Sequence, residues 1–253
     1  MSDTVSISQK AAVGAKDNTF IGTQIITQGL TPENATQLAF NIFDQYFPKL
    51  KEEALQEVRK TVEEELRKIP INDILRPTAK IAVPTLQNAS ITEESNLREM
   101  YGKLLASDMN KVKRPNVHPA FVEIINQMSA DDAKLFSFIM EYNDSIPVAK
   151  VTFTFDTKYL TSVLPLYYSP IFKDFDPWKA SVSIENLSRL KLFQFFEGSV
   201  KNYNYDLIKQ DPFIQERFEF AKTGNPKRDL EITVTDYALQ KNDFGKRFAM
   251  LCL

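Results

Sequence analysis

A mostly helical chain of mixed α+β class is predicted: a long N-terminal helix and a helical core, then a C-terminal part with short strands. Three observations predict it. Apolar residues recur at steps of three and four through the first half. After Tyr142 the texture changes, and alternating, β-branched segments occur at Val148 to Phe155 and Leu230 to Thr235. The 253 residues hold only 7 glycines, too few for an all-β chain rich in tight turns, while 43% hydrophobic residues supply a core. The division expected is a flexible tail over 1–29, a helical domain over 30–142 and an α+β domain over 143–253.

The elements follow in order. Met1 to Asn18 is small and polar and reads as a disordered tail. Thr19 to Gly29 is uncharged, proline-free and β-prone. Its cluster Phe20, Ile21, Gly22, Gln24, Ile25 and Ile26 resembles short amyloid-signalling motifs related to the RIP homotypic interaction motif. It is a candidate assembly segment, with a tail strand packed on the body or plain disorder as the alternatives.

A helical stretch is predicted from Pro32 to about Lys68, with Thr31 as N-cap and Pro48 kinking or splitting it. Its charged second half reads as a solvated bundle helix or as a coiled-coil arm. A short helix near Thr78 to Asn88 follows, then one near Glu93 to Met109 burying Leu97, Met100, Tyr101, Leu104 and Leu105. His118-Pro119 opens another helix, and Ser129-Ala130-Asp131-Asp132 has the form of a helix start. Beyond the strand at Val148, Thr157 to Trp178 is aromatic and irregular. A helix is predicted from Ser183 to about Phe193, a helical stretch over Tyr205 to Lys222, and a final helix over Asp243 to Leu253.

The run Asn96-Leu97-Arg98-Glu99-Met100-Tyr101-Gly102-Lys103-Leu104-Leu105-Ala106-Ser107-Asp108-Met109 resembles the Abi-alpha family of bacterial abortive-infection proteins. So do Val117 to Ser129 and Asp132-Ala133-Lys134-Leu135, with Pro77 to Gln87 as the lead-in. A weaker likeness continues through Asn186-Leu187-Ser188-Arg189-Leu190 and Phe244-Gly245-Lys246-Arg247-Phe248. The resemblance implies a bacterial protein linked to phage defence and no defined reaction.

The last two pieces, with strands between them, look like a winged-helix arrangement whose recognition helix would be Ser183 to Phe193. Arg189, Lys191, Lys227, Arg228, Lys246 and Arg247 are the candidate nucleic-acid contacts. Duplex binding commonly rests on about 6–10 phosphate contacts. The helix offers only Arg189 and Lys191 against Glu185, and the chain carries a net charge of -2.

Catalytic signatures are sparse. His118 is the only histidine and Cys252 the only cysteine, so a Ser-His-Asp, Cys-His or two-histidine metal site has almost nothing to use. His118 reads as a helix cap or packed residue. Glu93, Glu94, Glu99, Asp108, Asp131 and Asp132 are the carboxylates an enzyme would draw on, but a helix dipole explains Asp131-Asp132 and an ion pair or solvated face explains Arg98-Glu99. No phosphate loop or dinucleotide fingerprint is present, and no cofactor is expected. With no apolar leader and no stretch long enough to span a bilayer, the expected location is cytoplasmic. The leading expectation is an antiphage defence protein that acts through a protein partner or self-association. A winged-helix nucleic-acid binder and a carboxylate-dependent enzyme are the rivals.

Overall fold

The computed structural model describes residues 31–46, 52–142, 145–155, 158–160 and 164–253. The candidate assembly segment from Phe20 to Ile26 lies outside them. The chain divides into two compact units. The first takes the described residues up to Glu93 together with Tyr101–Val122, and the second takes Glu94–Met100 and Glu123–Leu253.

In the first unit, α1 (Pro32–Tyr46) and α2 (Glu52–Leu66) lie within the helical stretch that Pro48 was expected to kink or split. Thr31 is the N-cap, its hydroxyl accepting from the Asn34 N–H at 3.2 Å. Leu55, Val58, Val62 and Leu66 form the α2 stripe and are buried within the chain itself, as a bundle helix requires. α3 (Ala79–Ile91) accommodates Pro84 in its interior and buries Ile81, Ala82, Leu86 and Ala89. α4 (Ser95–Asp108) and α5 (Ala120–Asn126) each run from one unit into the other. Where α4 lies on α2, a Cβ on Gly102 would stand 2.7 Å from Thr61 Cβ, so only glycine permits the approach.

The second unit is built on a four-stranded antiparallel sheet of order β2-β1-β4-β3. Its strands are β1 (Ile146–Phe155), β2 (Lys158–Leu160), β3 (Phe193–Glu197) and β4 (Glu231–Lys241). β1 is the central hydrophobic run, with residues buried toward both faces, and this explains its β-branched composition. On one face Ala149, Val151, Phe153 and Phe155 pack with Tyr205, Ile208, Ile214, Phe218 and Ala221. The last three lie on α8 (Pro212–Gly224). On the other face Phe193 meets Phe136 at 5.6 Å, and Phe136 meets Phe248 at 5.4 Å. Phe136 belongs to α6 (Ala130–Glu141) and Phe248 to α9 (Asp243–Cys252).

α6 therefore shares a core with the sheet, although it precedes the change in texture at Tyr142 that set the expected division at 142/143. Ser129 caps it with a complete capping box, Ser129 and Asp132 each bonding the other's backbone.

The expected helix from Ser183 to Phe193 needs correcting. α7 runs Pro177–Arg189, and Phe193 begins β3. Asp176-Pro177 is the stronger start signal: the Asp176 carboxylate accepts from the Trp178 and Lys179 N–H groups, and proline suits the first helical position. The end is set by Lys191, which adopts φ of 61°. The Lys191 N–H donates to Ser188 O and the Leu192 N–H to Leu187 O, a Schellman closure that turns the chain into β3.

Candidate functional site: an aromatic cleft beside the outer face of α7

Between β1 and α7 the chain crosses the sheet edge at Tyr168, which exchanges both backbone hydrogen bonds with Ala149 at 2.7 and 2.8 Å. This extra rung places the two flanking tyrosines on opposite sides of the sheet. Tyr167 stacks on Phe195 at 4.8 Å, and Tyr168 stacks on Phe213 at 5.4 Å and 16°. The segment that follows, Phe172 to Phe175, folds its two rings edge-on against Phe138 of α6.

These pieces enclose a cleft of about 300 Å³. Its walls include Tyr168, Phe172, Phe175 and Phe213, with Lys173 and Asp211 as the charged side chains. Tyr168 Oη donates to Asp211 Oδ1 at 2.7 Å. The same oxygen accepts from the Phe213 N–H at 3.0 Å, so Asp211 is also the N-cap of α8. Burial, then the bond to Asp211, pushes the Tyr168 hydroxyl well above the usual phenol range. Tyr168 is therefore a fixed neutral donor and Asp211 a fixed acceptor.

α7 begins at the mouth of this cleft, where Pro177 and Ala180 line it. Its inner face buries Ala180, Ser181, Ser183, Ile184 and Leu187. The outer face exposes Trp178, Lys179, Val182, Glu185 and Arg189. Trp178 is 42% exposed and Val182 65% exposed, one helical turn apart, an apolar pair with no cover.

The six candidate nucleic-acid contacts are all exposed but do not form one surface. Arg189 is tied down by bonds to Asn186 Oδ1 and to Gln127 Oε1 at 2.9 Å. Lys191, Lys246 and Arg247 gather at the Lys241 end of β4, where Asn242 Nδ2 donates to Lys191 O. Lys227 and Arg228 lie at the other end, before Glu231, and the Arg228 guanidinium sits 4.0 Å over the Phe155 ring. The 11 residues of β4 keep the two groups roughly 34 Å apart. His118 caps α5, its Nδ1 accepting from the Ala120 N–H at 3.1 Å. Among the described residues no three His, Cys, Asp or Glu side chains are placed to hold a metal ion. Nor is any helix there long and apolar enough to cross a membrane.

The model of the family abortive infection alpha matches residues 50–252, which spans α2 to α9 and both compact units. The chain belongs to that family. Membership links it to abortive infection and phage defence. No curated protein and no solved structure matches it.

In this abortive infection alpha chain the residues that carry the family likeness meet at internal joints. In the first unit, Asp108 accepts from the Thr78 N–H at 2.6 Å and from the Thr78 hydroxyl at 3.1 Å. Arg114 stands 3.7 Å from that carboxylate and donates to the carbonyls of Asp108 and Arg76. In the second unit, Asn186 Nδ2 donates to Gln127 O at 2.9 Å and to Asp132 Oδ2 at 2.8 Å. A Cβ on Gly245 would come within 2.0 Å of Leu192 O, so α9 can approach the end of α7 only with glycine there.

Sequence reasoning did not single out Tyr168, Asp211 or Trp178. Asp211-Pro212 and Asp176-Pro177 were the legible signals, since each pairs a capping carboxylate with proline at the first helical position. The aromatic density of Thr157 to Trp178 was visible, but not which rings turn to which side of the sheet.

Proposed function

We propose that this chain serves abortive infection as a protein-recognition module whose docking surface is the outer face of α7. The observation that carries this reading is the exposed Trp178–Val182 pair beside an aromatic cleft. Aromatic side chains at the centre of a patch are where protein interfaces concentrate their energy. The candidate assembly segment, Phe20, Ile21, Gly22, Gln24, Ile25 and Ile26, is proposed to serve self-association.

A second reading draws on the topology. α6, β1, α7, β3 and β4 occur in the order of a winged helix, and the strand order β1-β4-β3 suits one, with a long insertion between β3 and β4. In that arrangement α7 holds the recognition position. Its outer face presents tryptophan and valine where a duplex reader presents cations, which favours protein over DNA as the partner.

The deciding experiment is a phage challenge of cells carrying the double variant Trp178→Ala, Val182→Glu, with folding checked by circular dichroism. Loss of protection by a folded variant is expected, and full protection would remove the docking surface. A salt titration of duplex DNA binding is expected to show no salt-sensitive complex, and a steep salt slope would promote the nucleic-acid reading. Deleting residues 1–29 is expected to lower the assembly size, and an unchanged size would end that role for the segment.

A further inference from the structure

We propose that the aromatic cleft is a receptor for an arginine side chain of the protein partner, seated against Asp211; this rests on the reading of α7 as a protein-docking face. The carboxylate is the first reason. Oδ1 of Asp211 is taken by Tyr168 Oη and the Phe213 N–H. Among the described residues no hydrogen bond or ion pair occupies Oδ2. Asp211 is half-buried and lines the cleft, so an acceptor of negative charge stands in an aromatic enclosure.

The local charge is the second reason. Asp174 and Asp176 add negative charge to the segment between the lining residues Lys173 and Pro177, although the Asp176 carboxylate also caps α7. The neighbouring cations are largely committed. Lys179 pairs with Asp131 at 3.2 Å, and Arg217, 5.9 Å from the Phe213 ring centroid, pairs with Glu216 at 2.5 Å. Lys173 is the cation in the lining and the element that opposes the proposal.

Shape and chemistry select among cations. The walls are ring faces and edges from Tyr168, Phe172, Phe175 and Phe213, with prolines at 170, 177 and 212. A guanidinium is planar, weakly hydrated and able to lie on a ring while its fork donates to a carboxylate oxygen. An ammonium gives up more hydration to enter the same walls and offers no flat face. Pro177 joins the cleft to Trp178, so the arginine belongs to the partner that covers the outer face of α7.

The test uses the full chain and N-acetyl-arginine N-methylamide as the probe, with the citrulline and lysine counterparts as controls. Calorimetry measures the affinity. The fluorescence of Trp178, the only tryptophan, reports the place. Saturable binding of the arginine probe is expected, with citrulline weaker by about tenfold or more because it lacks the charge. Asp211→Asn keeps a competent helix cap and an acceptor for Tyr168, so the fold is retained while arginine binding falls by about tenfold or more. Lys173→Ala is expected to tighten binding by roughly twofold to fivefold. Equal affinity for arginine and citrulline, no binding of either, or an Asp211→Asn variant that binds as the parent overturns the proposal. If the arginine probe binds but the Trp178–Val182 variant still protects against phage, the cleft stands and the docking face falls. If protection is lost while no probe binds, the reverse holds.

Discussion

The joint around Asp108 and the cleft around Asp211 use the same functional group in opposite ways. Both carboxylates accept a backbone N–H next to a helix start, from Thr78 before α3 and from Phe213 in α8. Asp108 is buried, and Thr78 and Arg114 surround it. Asp211 is half-exposed and lines a cleft, with its hydrogen bonds on Oδ1. A carboxylate saturated by its own chain is part of the scaffold, whereas one left with an open oxygen among rings is available to something else. The family likeness runs through the saturated joints, and the surface proposed to act is built on α7 in the second unit. That difference sets what each substitution should do: a change at a joint should cost folding, and a change at the cleft should cost binding and little else.

The largest effect is expected at Gly245. Alanine there drives a methyl into the Leu192 carbonyl, a rigid backbone atom, so Gly245→Ala should destabilise by about 3 kcal/mol or more in urea denaturation. Next comes Asp108→Ala, which leaves the Thr78 N–H and the Arg114 guanidinium without their acceptor and should cost about 2–4 kcal/mol. The companion change Asp108→Asn sharpens the comparison through pH. Burial raises the Asp108 carboxyl above the usual range, against the opposing pull of Thr78 and Arg114. A group whose folded pKa is raised binds its proton first in the folded state, so its contribution to stability rises as pH falls from neutral toward about 4. Asparagine cannot titrate. The parent chain should therefore gain stability relative to Asp108→Asn on acidification, measured by urea midpoints at two pH values. The smallest effect is expected at the cleft, where Asp211→Asn should change stability by no more than about 0.5 kcal/mol because asparagine caps as well as aspartate. A large loss of stability there would erase the distinction between the two carboxylates.

The helical half was legible for a local reason. Thr31, Ser129 and the Val58–Val62 pair of α2 each act within a turn or two of their own position, and the structure uses them as their spacing suggests. The sheet half was partly hidden. β1 and the first part of β4 announce themselves by alternation, but β3 does not. Phe193-Gln194-Phe195-Phe196-Glu197 follows directly on a helix, and its strand state depends on pairing with 237–241, some 40 residues on. The basic residues were equally ambiguous. Lys227 and Arg228 belong to the same short list as Lys246 and Arg247, yet β4 holds the two pairs at its opposite ends.

By itself, then, the sequence determined the class of the chain, most of its helices, its family and the poverty of catalytic groups. Each of these depends on composition, on contacts a turn apart, or on a contiguous run such as Asn96 to Met109. Only the tertiary structure decided which side of α7 faces out, that Tyr167 and Tyr168 part to opposite faces of the sheet, and that Asp211 meets Tyr168 from 43 residues away. Those outcomes rest on pairings between distant segments, and no local preference of the backbone encodes them.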